Sequence, residues 1–600
     1  MPGRTGCFLR RRFSAFLSIL STNWLLPAAC IYHIMVVTKG GCGMCETVKC
    51  KVISSLEKCF YDDDMDRFPE LRSISMLRNE KLSFQLAVRD TDESPDKRLL
   101  SLHIEGALRE YIAVRQTVCV PCAQPTAGKN YDSHYLRVAP GLYPDLITDL
   151  GYHGRLPMSG QNLRTFWLDV AVPDGFAAGT YHTTLTLKNG EEAVAAAAMD
   201  ITVVAGDLPV CPIPHTEWFH VDCLADYYDV PVFSEKHWAY IENFARTACE
   251  NGINTLFTPV ITPALDTYIG GERTTTQLVG ITVRDGRYEF DFSRLDRWID
   301  MGKRIGIRYY EIPPLYTQWG ANAAPKVVAA VDGVEQRIFG WDTDSRSAEY
   351  TAFLDALIPA LTAQLKLRGV DRQTFFHISD EPDRSQFAHY RAVADQVRKH
   401  LTGYTVIDAV SHLEAFQEGI LDTPVVIASG MKEFLDAGAD RAWIYYCCVP
   451  TTVYTNRFIA MPAARTRILG VQMYKYDIKG FLHWGYNFYN CQYSYNTVNP
   501  YLDTTGDYFA PSGDAYVVYP GKGGVPEPSI RLKLLRDAFQ DIRALQLCEQ
   551  LYDRDYVIGL IDEGLDTPLT LSEYPQDAAY ILALREKVNG AIRDRIGSRG

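Results

Sequence analysis

The sequence predicts a multidomain protein: an N-terminal β-sandwich followed by a (β/α)8 TIM barrel with a helical C-terminal tail. Three observations predict it. The chain has 600 residues, too many for one hydrophobic core when a domain averages about 150. Its first third reads as short alternating strands. From residue 215 the texture changes to strand and helix in turn, and eight such units close into a barrel.

The strand-rich region is expected over residues 45–208. Leu82-Ser-Phe-Gln-Leu-Ala-Val88, Thr165-Phe-Trp-Leu-Asp-Val-Ala-Val172 and Gly179-Thr-Tyr-His-Thr-Thr-Leu-Thr-Leu187 alternate with period two and are rich in β-branched and aromatic residues, as antiparallel strands are. Val172-Pro-Asp-Gly175 and Lys188-Asn-Gly190 carry turn chemistry. Gly206-Asp-Leu-Pro-Val-Cys-Pro-Ile-Pro214 reads as a linker.

The barrel is expected over residues 215–551. Strand signals fall at 216–222, 254–260, 307–312, 374–379, 404–409, 424–428, 442–447 and 480–486. Helical signals fall at 234–250, with Ser234 as N-cap, and at 293–303, 345–367, 385–401 and 527–551. Residues 552–600 read as a helical extension, clearest over 577–595.

Residues 1–44 are expected to be a leader or an over-long start, with translation beginning near Met35 or Met44 in the second case. Arg10, Arg11 and Arg12 precede an uncharged stretch, as in a signal peptide, but serines, Asn23 and Pro27 dilute it. No other stretch is long and apolar enough to span a bilayer, so no firm membrane association is expected. The 15 cysteines are irregularly spaced and give no disulfide framework. Free thiols point to the cytoplasm; a signal peptide within residues 1–30 would instead make the protein secreted or lipid-anchored. Cys42/Cys45 and Cys119/Cys122 match CxxC, but two such pairs would have to converge to bind zinc, so no metal is expected. The chain carries neither a nucleotide-binding fingerprint nor HExxH, and no cofactor is expected.

A net charge of −13 argues against a nucleic-acid partner. Aromatic residues are abundant, with 36 Tyr, 26 Phe and 9 Trp. Their flat faces suit sugar rings, although a large core uses the same residues.

Barrel chemistry gathers at the C-terminal ends of the strands. The run Phe375-Phe-His-Ile-Ser-Asp-Glu-Pro382 ends the fourth strand with two adjacent acids. Pro382 is expected to hold Glu381 extended. Two carboxylates this close do not ionise equally, which yields one acid and one anion. Alternatively, both could complement the dipole of the helix that follows. Other strand ends offer His220, Asp222, Glu311, His377, Asp408, Tyr445, Tyr446, His483, Trp484, Tyr486 and Asn487. Tyr310 and Trp319 belong to the third strand and the loop after it. Trp484, Tyr486, Asn487, Glu311, Tyr310, Trp319, Tyr446 and His377 are the expected sugar-binding positions, with His377 orienting a neighbour.

With these residues in place the chain resembles family 123 of the glycoside hydrolases, and related barrel proteins known only as a domain of unknown function. The resemblance rests on Leu77-Arg-Asn-Glu-Lys-Leu-Ser-Phe-Gln-Leu86, Phe166-Trp-Leu-Asp-Val-Ala-Val-Pro173 and Gly179-Thr-Tyr181 before the barrel. Within the barrel it rests on Tyr288-Glu-Phe-Asp-Phe-Ser-Arg-Leu-Asp-Arg-Trp298, Ile378-Ser-Asp-Glu-Pro382 and Gly480-Phe-Leu-His-Trp-Gly-Tyr-Asn487. Tyr519-Pro-Gly521, Ser529-Ile-Arg-Leu532 and Leu535-Arg-Asp537 complete it. The resemblance implies an exo-acting, retaining β-N-acetylgalactosaminidase with substrate-assisted catalysis on a terminal N-acetylhexosamine. Asp380 would then orient the 2-acetamido group and stabilise an oxazolinium-like intermediate, and Glu381 would be the acid/base. Substrate-assisted families need no opposing carboxylate. Glu311 or Asp408 could still serve as a conventional partner. Another sugar specificity on the same barrel, or a non-catalytic glycan-binding protein, are the alternatives.

Overall fold

The computed structural model describes residues 47–92, 97–158, 160 and 162–598. The expected leader and the pair Cys42/Cys45 lie outside the described residues. Cys45–Gly600 cluster as one compact unit.

The N-terminal region is strand-rich. One five-stranded sheet runs in the order Val48–Ser54, Lys81–Asp90, Leu163–Ala171, Ile112–Cys122 and Gly141–Thr148. A second orders Ser73–Arg78, Glu192–Asp207, Gly179–Asn189, Arg98–Glu105 and Leu156–Met158. Alternate residues of both sheets, among them Phe84, Leu86, Phe166, Leu168, Leu185 and Ile201, enter one buried cluster. Gly175 and Gly190 sit in their turns at φ 72° and 64°, where a Cβ would be strained.

The barrel is closed and all-parallel. Its strands are β1 (His215–Glu217), β2 (Thr255–Phe257), β3 (Tyr309–Ile312), β4 (Thr374–Phe376), β5 (Thr405–Val410), β6 (Thr423–Ile427), β7 (Trp443–Tyr445) and β8 (Phe481–His483). β8 pairs back onto β1. All eight fall inside the predicted segments or within a residue of them, but most are shorter. The first departs furthest: the chain leaves β1 after Glu217 and winds into the helix Val221–Tyr228. Asp222 therefore stands in a helical first turn, held by Arg273 at 2.6 Å.

The helices start where a side chain satisfies their free N–H groups. Ser234 accepts from His237, as predicted. The helix Ala348–Leu367 is capped by Ser347, two residues beyond the predicted start. Ser529 and Asp577 cap Ile530–Leu551 and Ala578–Gly597. A four-stranded sheet, Gly280–Arg284, Arg287–Asp291, Val327–Val331 and Val334–Phe339, was not anticipated. Its two hairpins turn at Asp285-Gly286 and Asp332-Gly333, all four residues at positive φ, as a type I′ turn requires.

The C-terminal helices join the two halves. Leu77, Trp167 and Val204 from the sheets share a buried cluster with Ile530, Leu534, Val557 and Leu584. Arg531 crosses the same boundary and donates to both oxygens of fully buried Asp145 at 2.8 Å. Among the described residues no helix is long and apolar enough to cross a membrane.

Candidate active site

A cavity of about 870 Å³, counting its open mouth, lies at the C-terminal ends of the barrel strands. Trp218 and His220 follow β1, Leu265 and Asp266 follow β2, and Gln318 and Trp319 follow β3. Asp380 and Glu381 come from the turn after β4, and Ala409 from β5. Tyr445, Cys447 and Cys448 end β7; Leu482 and Trp484 end β8, whose following loop adds Gln492, Tyr493 and Phe509.

The turn carrying the acids is pinned on both sides. Asp408 accepts the backbone N–H of Ile378 at 3.1 Å and of Ser379 at 3.3 Å. Ser379 donates its hydroxyl to the Thr317 carbonyl at 2.8 Å, and the Trp319 N–H reaches the Asp380 carbonyl at 3.0 Å. Glu381 is not extended as Pro382 suggested: it is left-handed, at φ 43°. Proline excludes the right-handed helical region for its predecessor, and the sharp reversal at the barrel mouth takes the left-handed one. Such backbone costs about 1–3 kcal/mol and clusters at functional sites. Tyr445 donates its hydroxyl to Glu381 Oε1 at 2.5 Å. Neither acid caps the next helix. Asp383 does so, in a reciprocal capping box with Gln386.

Beneath the pair, His377 is buried between two carboxylates, Nδ1 facing Asp408 at 2.9 Å and Nε2 facing Glu311 at 2.6 Å. Both partners are fully buried. A carboxylate accepts, so both ring nitrogens donate and the ring is an imidazolium. Although burial opposes it, the hydrogen bonds and charges of Asp408 and Glu311 lift His377 to about 10. Glu311 also accepts from Trp218 Nε1 at 2.7 Å and from Thr216, and Asp408 accepts from Tyr390. These carboxylates are spent on the floor and do not line the cavity.

Burial, then the charge of Glu381, pushes the Asp380 carboxyl well above its ordinary range, while His377 pulls it back. Asp266 is a third carboxylate lining the cavity, raised to about 6 by burial. Trp484 hangs over the cavity with Nε1 donating to buried Asp514 at 3.1 Å.

Of the expected residues, the structure brings Asp380, Glu381, Trp319 and Trp484 to the cavity. Glu311 and His377 support its floor. Tyr310, Tyr446, Tyr486 and Asn487 are buried elsewhere. Tyr310 alternates with inward Glu311 and donates outward to the Ile299 carbonyl. Tyr446 packs on Phe481 and His483, while its neighbour Tyr445 takes the inward place. Tyr486 donates to the Phe244 carbonyl, and Asn487 bridges both backbone groups of His220. A one-residue shift in facing reverses a strand residue's side, which is why Tyr446, not its neighbour Tyr445, is the sugar contact expected from the sequence. Asp266, Gln318, Gln492, Tyr493 and Phe509 sit in loops without periodicity to announce them.

The family model for the glycoside hydrolase 123 catalytic domain matches residues 218–548. No curated protein matches the chain. Among solved structures, a family 123 glycoside hydrolase from Clostridium perfringens is similar at a TM-score of 0.69 and 14% identity, covering 91% of this chain and 98% of that one. At that identity the likeness shows the fold. A family 39 glycoside hydrolase from Bacteroides cellulosilyticus overlaps 78% of this chain and 81% of its own, at 11% identity and a TM-score of 0.33. A β-glucuronidase from Ruminococcus gnavus overlaps 80% and 72%, at 10% identity and a TM-score of 0.29. These two likenesses are too slight to bear on the chemistry. The family match spans more than half of the chain and includes the whole run of strand ends that line the cavity; the chain belongs to glycoside hydrolase family 123, and it is a glycosidase whose substrate is a glycan.

Proposed function

We propose that this chain is an exo-acting, retaining β-N-acetylgalactosaminidase in which the substrate's own acetamido oxygen is the nucleophile. The observation that carries the reading is the capture of Glu311 and Asp408 by His377. It removes the two carboxylates best placed by sequence to oppose the Asp380–Glu381 pair. An ordinary retaining enzyme sets nucleophile and acid about 5–5.5 Å apart across the sugar, whereas a substrate-assisted one needs no protein nucleophile.

Tyr445 occupies Glu381 Oε1, so Oε2 is the oxygen that carries the proton. Glu381 protonates the glycosidic oxygen as the C1–O bond breaks. The acetamido oxygen closes on C1, and Asp380 accepts the acetamido N–H, stabilising the oxazolinium. Water then attacks C1 and gives its proton to Glu381, leaving the product with retained configuration.

A panel of nitrophenyl glycosides tests the activity. Release from the β-N-acetylgalactosaminide is expected, and release only from sugars lacking a 2-acetamido group would sink the reading. Glu381→Gln should lose most activity on poor leaving groups and less on activated ones, whereas Asp380→Asn should lose both. A thiazoline mimic of the oxazoline should bind tightly. Asp266 motivates a second reading, in which it is a conventional nucleophile. A 2-deoxy-2-fluoro glycoside that labelled Asp266 covalently would replace the first mechanism with this one.

We also propose that the two sheets form a β-sandwich domain over residues 45–208, with the barrel over 215–551 and a helical extension over 552–600. Limited proteolysis within 206–214 would support that division, and exclusive cutting elsewhere would count against it. The 11 free cysteines among the described residues, from Cys50 to Cys548, support a cytoplasmic location. Recovery of the chain outside the cell would overturn this.

A further inference from the structure

We infer that the mouth of the cavity carries a prebuilt aromatic platform for the leaving-group side of the glycan, so that the substrate is an oligosaccharide extending at least two sugars beyond the cleaved one. The inference rests on the activity proposed above. Trp319 and Tyr493 line the cavity and meet edge-to-face, centroids 5.6 Å apart. From Tyr493 the aromatic surface continues to Tyr495 at 6.3 Å, and Tyr495 stacks on Tyr268 at 4.4 Å and 15°. Tyr495 stays 59% exposed, Tyr268 and Trp319 37% each, and neighbouring Ile269 78%. An apolar strip continuous with a sugar cavity is suited to the C–H faces of further sugar rings. Tyr495 gives one face to Tyr268 and keeps more than half of its surface exposed.

Three loops from different strands are sewn together to hold the strip. The Tyr268 N–H donates to the Tyr493 carbonyl at 3.2 Å. Ser494 donates its hydroxyl to the Asp266 carbonyl at 2.8 Å, and Gln318 donates to the Thr267 carbonyl at 3.0 Å. Gln386 fixes the Trp319 carbonyl at 2.9 Å. Asp266, Trp319, Tyr493 and Ser494 all have positive φ, between 46° and 59°. Non-glycine residues rarely adopt that conformation, and at ligand-binding sites it reflects geometry over-determined by its surroundings. Gly271 makes room for the Tyr268 ring: a Cβ there would stand 2.5 Å from it. A surface ordered before binding loses little conformational entropy when a glycan docks.

The test compares the full-length chain on a β-GalNAc-terminated trisaccharide and on the methylumbelliferyl β-GalNAc monosaccharide. Wild type should show the lower KM for the trisaccharide. Tyr495→Ala should cut the trisaccharide-to-monosaccharide ratio of kcat/KM about tenfold, through KM, and Tyr495→Phe should restore it because stacking needs only the ring. Equal losses on both substrates, or no wild-type preference for the trisaccharide, would overturn the platform. If neither substrate is cleaved, the proposed activity fails and the platform is judged by calorimetric titration of the trisaccharide. A Kd weakened about tenfold in Tyr495→Ala supports it, and equal values in both proteins, or no binding to either, overturn it.

Discussion

Replacing His377 by Asn removes what is, among the described residues, the one cation in a cluster of four acids. The ring faces Glu311 from β3 and Asp408 from β5, with Trp218 and Thr216 on the Glu311 side and Tyr390 on the Asp408 side. Asp380 and Glu381 stand above it on its own strand end. Breaking a buried ion pair by removing one partner costs about 3–5 kcal/mol, which for a chain this large lowers Tm by about 2–4 °C. Asp380 loses the positive charge that holds its carboxyl down, an effect of about one pH unit for a neighbouring opposite charge. Its carboxyl is already raised, and the change raises it further. If catalysis needs Asp380 ionised, the acidic limb of kcat/KM moves up by that amount, and activity lost at pH 6 returns at higher pH. In the wild type His377 is raised from 6.5 to about 10. Its contribution to stability is therefore complete below about pH 6.5 and is lost as pH rises through about 10; the variant lacks that alkaline slope. The assays are a pH series of thermal melts and a pH profile of kcat/KM. A variant with unchanged Tm and an unmoved acidic limb would refute the charged clamp.

Three further substitutions probe separate parts. Tyr445→Phe deletes the hydroxyl on Glu381 Oε1 and should lower kcat about tenfold with KM little changed, read on a poor leaving group. Asp383→Ala removes a helix cap and should cost about 1 kcal/mol in urea unfolding, leaving kcat within twofold; a catalytic loss as large as that of Asp380→Asn would mean that the capping assignment is wrong. Arg531→Ala abandons fully buried Asp145 and should cost about 3–5 kcal/mol, measured by the same unfolding.

Much of the fold was legible because barrel strands announce themselves by what flanks them. Apolar runs such as 424–428 and 480–486 are too short for helices and sit between helical patterns, and the observed β6 and β8 fall there. The first strand misled because Thr216-Glu-Trp-Phe-His220 has the β-branched and aromatic residues of a strand while only its first two residues, with His215, pair. Hydrogen bonding to Asn487 and Trp484 then turns His220 out of the ladder. The four-stranded sheet was within reach, since Asp285-Gly286 and Asp332-Gly333 are the strongest short hairpin signals a sequence carries. The cavity walls were not: Asp266 and Tyr493 are placed by hydrogen bonds between loops far apart in the chain.

The acid pair itself gains its chemical meaning from residues below it. From the sequence Glu311 and Asp408 were rivals for the role of opposing carboxylate. In the folded chain each accepts three or more donors, and they share one imidazolium. A carboxylate so saturated is a poor nucleophile, because its lone pairs are engaged and its charge is neutralised. Among the described residues the carboxylates lining the cavity are Asp266, Asp380 and Glu381. Burial raises both Asp266, to about 6, and Asp380, so protonation does not separate the two and geometry toward the sugar must. The mechanism then turns on whether the anion of the reaction is Asp380, which would meet the acetamido N–H, or Asp266, which would attack the reacting carbon. A fluorinated sugar that fails to label Asp266, together with tight thiazoline binding lost in Asp380→Asn, would assign that role to Asp380 acting through the acetamido group.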